Sequence, residues 1–356
     1  MELMRQLGIE KDVEETGLGP DWTEYNRWFD ALSKNEIAKI PSPTFHTVPR
    51  DTSPTMPVMT CQDYVEEVLL GQVRAAANID LRFTTEAAEI TQDENSVRAK
   101  IVDLNTEEET EVETQFLIGA DGPHSLVREV IGSVLETDPH PNYSQDVIFE
   151  ADLSRYVEGR KAGLLYNATP DGVLVFQPLN GVTRWRCQIF SREPTVSPEE
   201  ELVRRIRQAV GTDEPIPVEI VSTGLWQPTP GCVDKLRDGR IFLAGDAAHV
   251  AVPTGGMGNN TGFAGIRNLA WKIAFVLQGL APAEILDTYQ AEHRPHALLR
   301  IAAGEATTRY MAGIFRAFYS GEDVAPGVRA TRQYGDHDGV LLGFELGSEL
   351  IRQEEE

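Results

Sequence analysis

Cysteine is scarce in the 356-residue chain: Cys61, Cys187 and Cys232 lie far apart, with no pair at metal-ligand or redox spacing. Neither a zinc site nor a disulfide scaffold is implied, no metal is expected, and a reducing compartment fits best. Positive charge is in deficit, 32 Lys and Arg against 56 Asp and Glu for a net charge of −24, which argues against a nucleic-acid partner, since binding a phosphate backbone needs clustered cations. No apolar run approaches the roughly 18 residues of a membrane helix. The opening MELMRQLGIEKDVEE also lacks the basic-then-apolar order of a signal peptide. The expectation is a cytoplasmic protein with no membrane partner. What is present is ordinary for a globular protein: 41% hydrophobic and 25% charged residues, in a length that suggests two or three domains.

Periodicity gives the coarse organisation. Residues 2–16 read as one helix with Gly8 near a stop, and residues 17–60, rich in Pro, Gly and Thr, as a long connection. An amphipathic helix starts at Asp63, with Val65, Val68, Leu69 and Val73 on one side. IDLRFTT, AAEITQ, SVRAKIVDL and VETQFLIGA follow as β signals. The middle two alternate like a half-exposed meander, and FLIGA is a continuous apolar run suited to a strand buried on both faces. From about 143 to 226 the pattern is again β, with Arg184, Arg186 and Gln188 alternating with Trp185, Cys187 and Ile189, so one face is covered and the other polar. SPEEELVRRIRQAV interrupts it as a helix with Ser197 as its N-cap. Helices close the chain, kinked or interrupted at Pro295.

Two stretches share one design. FLIGADGPHSLVREVIG (116–132) and IFLAGDAAHVAVPTGGMGNNTG (241–262) each run from a buried strand through small residues and an Asp into a helix. In an open α/β sheet ligands lie off the carboxyl ends of the strands, where an Asp can accept hydrogen bonds from a polyol and glycines let the ligand approach. Against this stands a plainer role for Asp121 and Asp246 as helix caps. The glycines and asparagines of PTGGMGNNTG favour the ligand, because they precede a helix whose unpaired N–H groups and positive end suit an anionic ring.

GRIFLAGDAAH, with PTGG, NTG, NLAWKIA and EHRP after it, resembles the Gly-Asp flavin signature of class A FAD-dependent aromatic hydroxylases, the phenol and hydroxybenzoate hydroxylase group. LIGADGPHSLVRE is similar to that group's Asp-Gly motif, VMTCQDYVEEVLL to the helix whose Gln lies near the flavin, and MELMRQLGIEKDVEETG to the helix after the first βαβ unit. TRQYGDHDGVLLGFELGSEL resembles the end of the catalytic region, with no further domain expected after it. The resemblance spans nearly the whole chain. It implies an α/β fold: an incomplete Rossmann-like FAD-binding domain (1–135 and 240–320), an inserted antiparallel β-sheet substrate domain (136–239), C-terminal helices and a terminal segment (321–356).

By the same resemblance Asp246, with Gly245, binds the ribitol of FAD, and the backbone of Gly258, Asn259 and Asn260 meets the pyrimidine side of the isoalloxazine. Asp121 and Gly122 shape the groove near the pyrophosphate and ribose, with Arg128 nearby; Gln62 contacts the flavin side chain and Pro253 sits beside the C4a edge. Gln62 could equally be a solvated helix residue and Pro253 a loop stiffener. His249 is read as structural and Trp271 as core. The implied reaction hydroxylates a small electron-rich aromatic substrate with NAD(P)H and O₂ through a flavin C4a-hydroperoxide, with the substrate between the flavin and the 143–226 β-layer. Tyr166, Phe176, Gln177 and Trp226 are candidate wall residues or core aromatics, no activating base is singled out, and a homodimer is left open. The family's opening strand and G-x-G-x-x-G turn have no counterpart here. The reading favours a truncated hydroxylase over a unit supplied by another chain or a non-redox member of the fold, the alternative function being flavin-free binding or cyclase-like isomerisation. Val252 stands for the first of two prolines, and Gly265 stands where relatives usually carry Asp, so that cap is absent.

Overall fold

The computed structural model describes residues 1–42, 53–320, 322–323 and 326–327. TRQYGDHDGVLLGFELGSEL and most of 321–356 lie outside them, as does part of the expected 17–60 connection. The chain divides into two compact units.

The first unit comprises Met1–Gln72, His140–Pro228 and the residues from Ala306 onward to Leu342. Its seven-stranded sheet has the spatial order Glu219–Trp226, Tyr143–Glu150, Arg184–Ser191, Gly172–Pro178, Leu164–Thr169, Tyr25–Phe29, Glu36–Pro41. Neighbours pair antiparallel except Tyr25–Phe29, which runs parallel to Leu164–Thr169. The alternation read in TRWRCQIF holds: Trp185, Cys187 and Ile189 are buried, and they pack with Phe149, Phe176 and Leu165 against Leu202 and Ile206 of the helix Glu199–Val210. That helix is capped at its start by Pro198 and not by the expected Ser197, whose backbone N–H instead donates to Gln145. It ends at Gly211, whose φ of +74° takes a left-handed residue out of the helix.

The stretch expected as one helix over 2–16 is two, Glu2–Gln6 and Glu10–Glu15. Between them Gly8 (φ +78°) donates to Arg5 O and Ile9 N to Met4 O, and Met4 and Ile9 are both buried. This is a Schellman stop in which glycine supplies the left-handed residue and an apolar pair seals it. The expected connection contains the strands Tyr25–Phe29 and Glu36–Pro41, so the structure groups residues 1–72 with the large sheet where the sequence reading grouped them with the other domain. Strand pairing decides that grouping: Asn26 to Phe29 register against Leu164 to Asn167.

The second unit comprises Val73–Pro139 and Thr229–Glu305, together with residues 343–356 outside the description. The expected meander is present as Thr85–Gln92, Val97–Asp103 and Glu109–Thr114. IDLRFTT is not a strand until Thr85: the preceding Thr84 has φ +50°, and Ile79, Leu81 and Phe83 are all exposed. A second sheet orders Arg237–Asp238, Ile241–Leu243 and Leu117–Gly119, the last two parallel; a third orders His249–Val250, Gly231–Val233 and Leu135–Thr137. Ile241, Phe242 and Leu243 are completely buried, but Ile118 on the edge strand is 42% exposed, so FLIGA is not covered on both faces. The helix Met257–Leu277 follows, then Thr288–Tyr319, which continues through Pro295 without the expected interruption. Its residues to 305 belong to this unit and the remainder to the first.

Candidate cofactor site

In the second unit the parallel strands Leu117–Gly119 and Ile241–Leu243 end side by side, Gly119 opposite Leu243, and Ala244 N donates to Gly119 O at 2.9 Å. Gly119 lets the short helix Leu126–Val130 close on the strand, since a Cβ there would lie 2.5 Å from that of Val127. Off the first strand tip, Asp121 accepts from Ser125 Oγ at 2.5 Å and Val127 N at 3.1 Å, and Ser125 Oγ accepts from Arg128 N at 2.9 Å. Asp121 is thus spent on the start of that helix, the plainer of its two roles. Gly122 has φ +82°, which carries the chain around the turn.

Off the second tip, Gly245 (φ +59°) opens the 3₁₀ turn Gly245–Ala247. Asp246 at its centre is exposed and has no side-chain hydrogen bond among the described residues. Partial burial raises its carboxyl above the usual range. Arg128 joins the two turns: Nη1 donates to Ala247 O at 3.2 Å and Nη2 to Pro123 O at 2.6 Å.

The chain then passes His249, buried Val252 and exposed Pro253, whose carbonyl accepts from Gly256 N at 3.1 Å. Gly256, left-handed at φ +65°, caps the 21-residue helix Met257–Leu277 without any side-chain bond. The first N–H groups of such a helix have no acceptor within it and carry its positive end. A Cβ on Gly258 would meet nothing within 4 Å, so the helix start is open, and a Cβ on Gly262 would lie 3.6 Å from Gly245 Cα, so the helix passes directly beside the Gly-Asp turn. Asn260 folds back, donating from Nδ2 to Gly256 O at 2.8 Å, while Asn259 is exposed. Gly245, Asp246, Pro253, Gly258, Asn259 and Asn260 therefore share one neighbourhood of this unit, with Asp121 and Gly122 at the adjoining strand tip.

Beneath that neighbourhood lies a buried polar layer that periodicity did not reveal. His249 Nε2 is 3.1 Å from His293 Nε2, and burial pushes His249 down to about 4 and His293 to about 3. His249 is a buried ring bonded to His293 through Nε2, with its Nδ1 unpaired among the described residues. The ring of His293 occupies the space a side chain at 265 would need, a Cβ on Gly265 lying 2.5 Å from His293 Nε2. The departure at 265 is thus a seat for an imidazole. Further along the helix, Lys272 and Glu292 form a buried ion pair at 2.6 Å, braced by Asn268. Trp271 on the same helix is 43% exposed, edge-on to Phe275, and is not the core residue its size suggested.

Gln62 belongs to the first unit, at the start of Gln62–Ala75, where it is exposed and donates to Glu66 Oε1 at 2.7 Å. Also in the first unit, Phe176 is completely buried on the helix-covered side of the sheet and cannot line a substrate wall. Tyr166, Gln177 and Trp226 share the other side, by strand register and alternation.

Two parallel strands ending in acidic turns beside an open helix start define a nucleotide-cofactor class of α/β protein. The family model described as FAD binding domain matches residues 1–302, and the chain belongs to that family, of which class A FAD-dependent aromatic hydroxylases are members. It is 36% identical over 321 residues to tetracenomycin A2 monooxygenase-dioxygenase of Streptomyces glaucescens, covering 83% of this chain and 57% of that protein. It is 32% identical over 309 residues to 2,4-dichlorophenol 6-monooxygenase of Delftia acidovorans, covering 83% and 52%. Among solved structures, the flavin-dependent monooxygenase PieE in complex with FAD and substrate superposes with a TM-score of 0.86 at 27% identity, covering all of this chain and 69% of that one. The chain spans little more than half the length of these curated relatives.

Proposed function

We propose that this chain carries the FAD site and the substrate sheet of a monooxygenase that hydroxylates an aromatic, phenol-like ring with NAD(P)H and O₂. The observation that carries the reading is Asp246: a carboxylate at a strand tip, exposed, without a hydrogen-bond partner among the described residues, beside a helix start that no side chain caps and that has open space at Gly258. Those residues fit a flavin dinucleotide. Asp246 offers acceptors to a polyol, Gly245 and Gly258 leave room for a ring to approach backbone, and the N–H groups from Met257 to Asn260 favour negative charge on a bound ring. Asp121, Gly122 and Arg128 hold the adjoining turn in shape, Pro253 stiffens the approach to the helix, and Gln62 is assigned to the flavin by family resemblance alone. Bound FAD would supply the redox chemistry between NAD(P)H and O₂; the protein's part is to bind, orient and exclude water. The aromatic substrate is assigned to the outward face of the large sheet, with Tyr166, Gln177 and Trp226. A cytoplasmic setting agrees with three free cysteines.

Titration of the purified chain with FAD, followed by visible absorbance, tests the reading. Tight uptake is expected, with Asp246→Ala weakening it at least about ten-fold, the loss expected for hydrogen bonds to a charged acceptor, at an unchanged melting temperature. Protein that leaves the FAD spectrum unchanged and is colourless once free FAD is removed would instead support flavin-free binding or isomerisation.

A further inference from the structure

One continuous row of side chains crosses the outward face of the large sheet. Strand register sets Trp28 beside Tyr166, Tyr166 beside Val175, Val175 beside Gln188, Gln188 beside Asp146 and Asp146 beside Gly224. One end is aromatic: Trp28 stacks on Tyr166 with centroids 4.3 Å apart and planes at 7°, and Phe315 packs on Trp28, Tyr166 and Phe190. The other end is open, since a Cβ on Gly224 would meet nothing within 4 Å. Between them the polar groups are mostly satisfied. Asp146 accepts from Arg186 Nη2 at 2.5 Å, Trp226 Nε1 at 3.1 Å and Ser144 Oγ at 3.2 Å, so its charge and that of Arg186 offset each other.

Gln188 is the exception. Its Nε2 is buried and has no hydrogen-bond partner among the described residues. A buried donor without an acceptor costs the fold stability, and a leucine of nearly the same shape would remove that cost. Asn167 Oδ1 is likewise unpaired, but Asn167 points to the helix-covered side, where its Nδ2 donates to Leu165 O.

We propose that Gln188 determines substrate specificity: its Nε2 donates to a carbonyl oxygen on an aromatic ring docked at the open Gly224 end of this row, the Trp28 and Val175 end being buried. A neutral donor between an already compensated ion pair and an aromatic wall selects a neutral acceptor, so the substrate class is a phenol bearing a ring-conjugated carbonyl over one without it. This rests on the monooxygenase reading above and names the substrate of the same site.

The test uses FAD-loaded protein and a matched pair of probes, 4-hydroxyacetophenone and 4-ethylphenol, which differ by a carbonyl in place of a methylene. Calorimetric titration should show the ketone bound about ten-fold more tightly, the worth of one well-made buried hydrogen bond. Gln188→Leu should abolish that preference and raise the melting temperature, and Gln188→Met serves the same purpose if the leucine variant does not fold. Equal affinities for the two phenols, binding of neither, or a preference that survives in the variant would overturn the role of Gln188 while leaving the flavin reading intact. Failure of the same sample to take up FAD would overturn both.

Discussion

Gly265→Ala is the sharpest perturbation of the cofactor unit, because helix propensity and packing give it opposite signs. Inside a helix alanine ordinarily stabilises by about 0.8–1.0 kcal/mol over glycine. Here the new methyl would lie 2.5 Å from His293 Nε2, 2.8 Å from Cε1 and 3.0 Å from Cδ2. The ring has little room to retreat: it is 2% exposed, lies parallel to Tyr289 with centroids 5.5 Å apart, and is held to His249 at 3.1 Å. Over-packing costs about 1–3 kcal/mol, and the lost hydrogen bond about 1 kcal/mol more. Set against the propensity gain, the net is a destabilisation of about 1–3 kcal/mol. Urea unfolding of the parent, Gly265→Ala, His293→Ala and the double variant completes the cycle. In the double variant the methyl meets the space the imidazole vacated, so its loss should fall short of the two single losses added together by at least about 1 kcal/mol. A Gly265→Ala protein as stable as the parent, or additive single effects, would refute the reasoning.

Two further outcomes follow from the same unit. His249 and His293 have folded-state values pushed down to about 4 and about 3 from an ordinary 6.5, chiefly by burial, with His249, His296, Arg300 and Lys272 adding repulsion at His293. Below about pH 6.5 the unfolded chain therefore binds more protons than the folded one, so the stability these neutral rings contribute is present above 6.5 and lost as the pH falls toward 4. The two groups set a limiting slope of about 2.7 kcal/mol per pH unit; urea midpoints between pH 7.5 and 5.5 should decline with a slope that halves in His293→Gln, and a flat profile would contradict the burial of the pair. Asp121→Ala removes the acceptor for Ser125 Oγ and Val127 N and should cost about 1–2 kcal/mol of stability. Its signature is the reverse of that expected for Asp246→Ala, which should weaken FAD uptake without moving the melting temperature; if Asp121→Ala leaves the melt unchanged, its capping role is wrong.

The two Gly-Asp turns were legible because their chemistry is local. A buried apolar run, a glycine that can take positive φ, an acid and a helix start all fall within a few residues, and Gly245, Asp246 and Gly256 behave as those residue types require. The alternation in TRWRCQIF was legible for the same reason, since each strand residue carries its own face. Residues whose roles are fixed by distant partners were not. Tyr25–Phe29 sits in a stretch that reads as connection, and becomes a strand because Leu164–Thr169 runs beside it. Trp271 reads as core on size and hydropathy, yet helix geometry turns it outward against Phe275. Phe176 and Gln177 are neighbours in sequence with equal claims to a substrate wall, and only the sheet's covered side separates them.

Position 265 shows how far that principle reaches. Read along the sequence, a glycine there is only a missing capping acid at an expected helix start; the helix instead begins at Met257, so position 265 lies inside it and is no cap. Read across to Thr288–Tyr319, the same glycine admits an imidazole that bonds His249, three residues beyond the acid of the Gly-Asp turn. The buried His249–His293 contact and the Lys272–Glu292 pair then fix the helix Met257–Leu277 against its neighbours at two points along its length, which sets where its open start lies relative to Asp246. Exact register matters there, because a carboxylate and a row of backbone N–H groups can grip one ligand only if both are held in place before it arrives. The residues proposed to hold the cofactor fall in short local stretches, while the layer that holds Asp246 and the helix start at their spacing is assembled from far along the chain; a variant of that layer should therefore lower FAD affinity without touching any group proposed to contact the flavin.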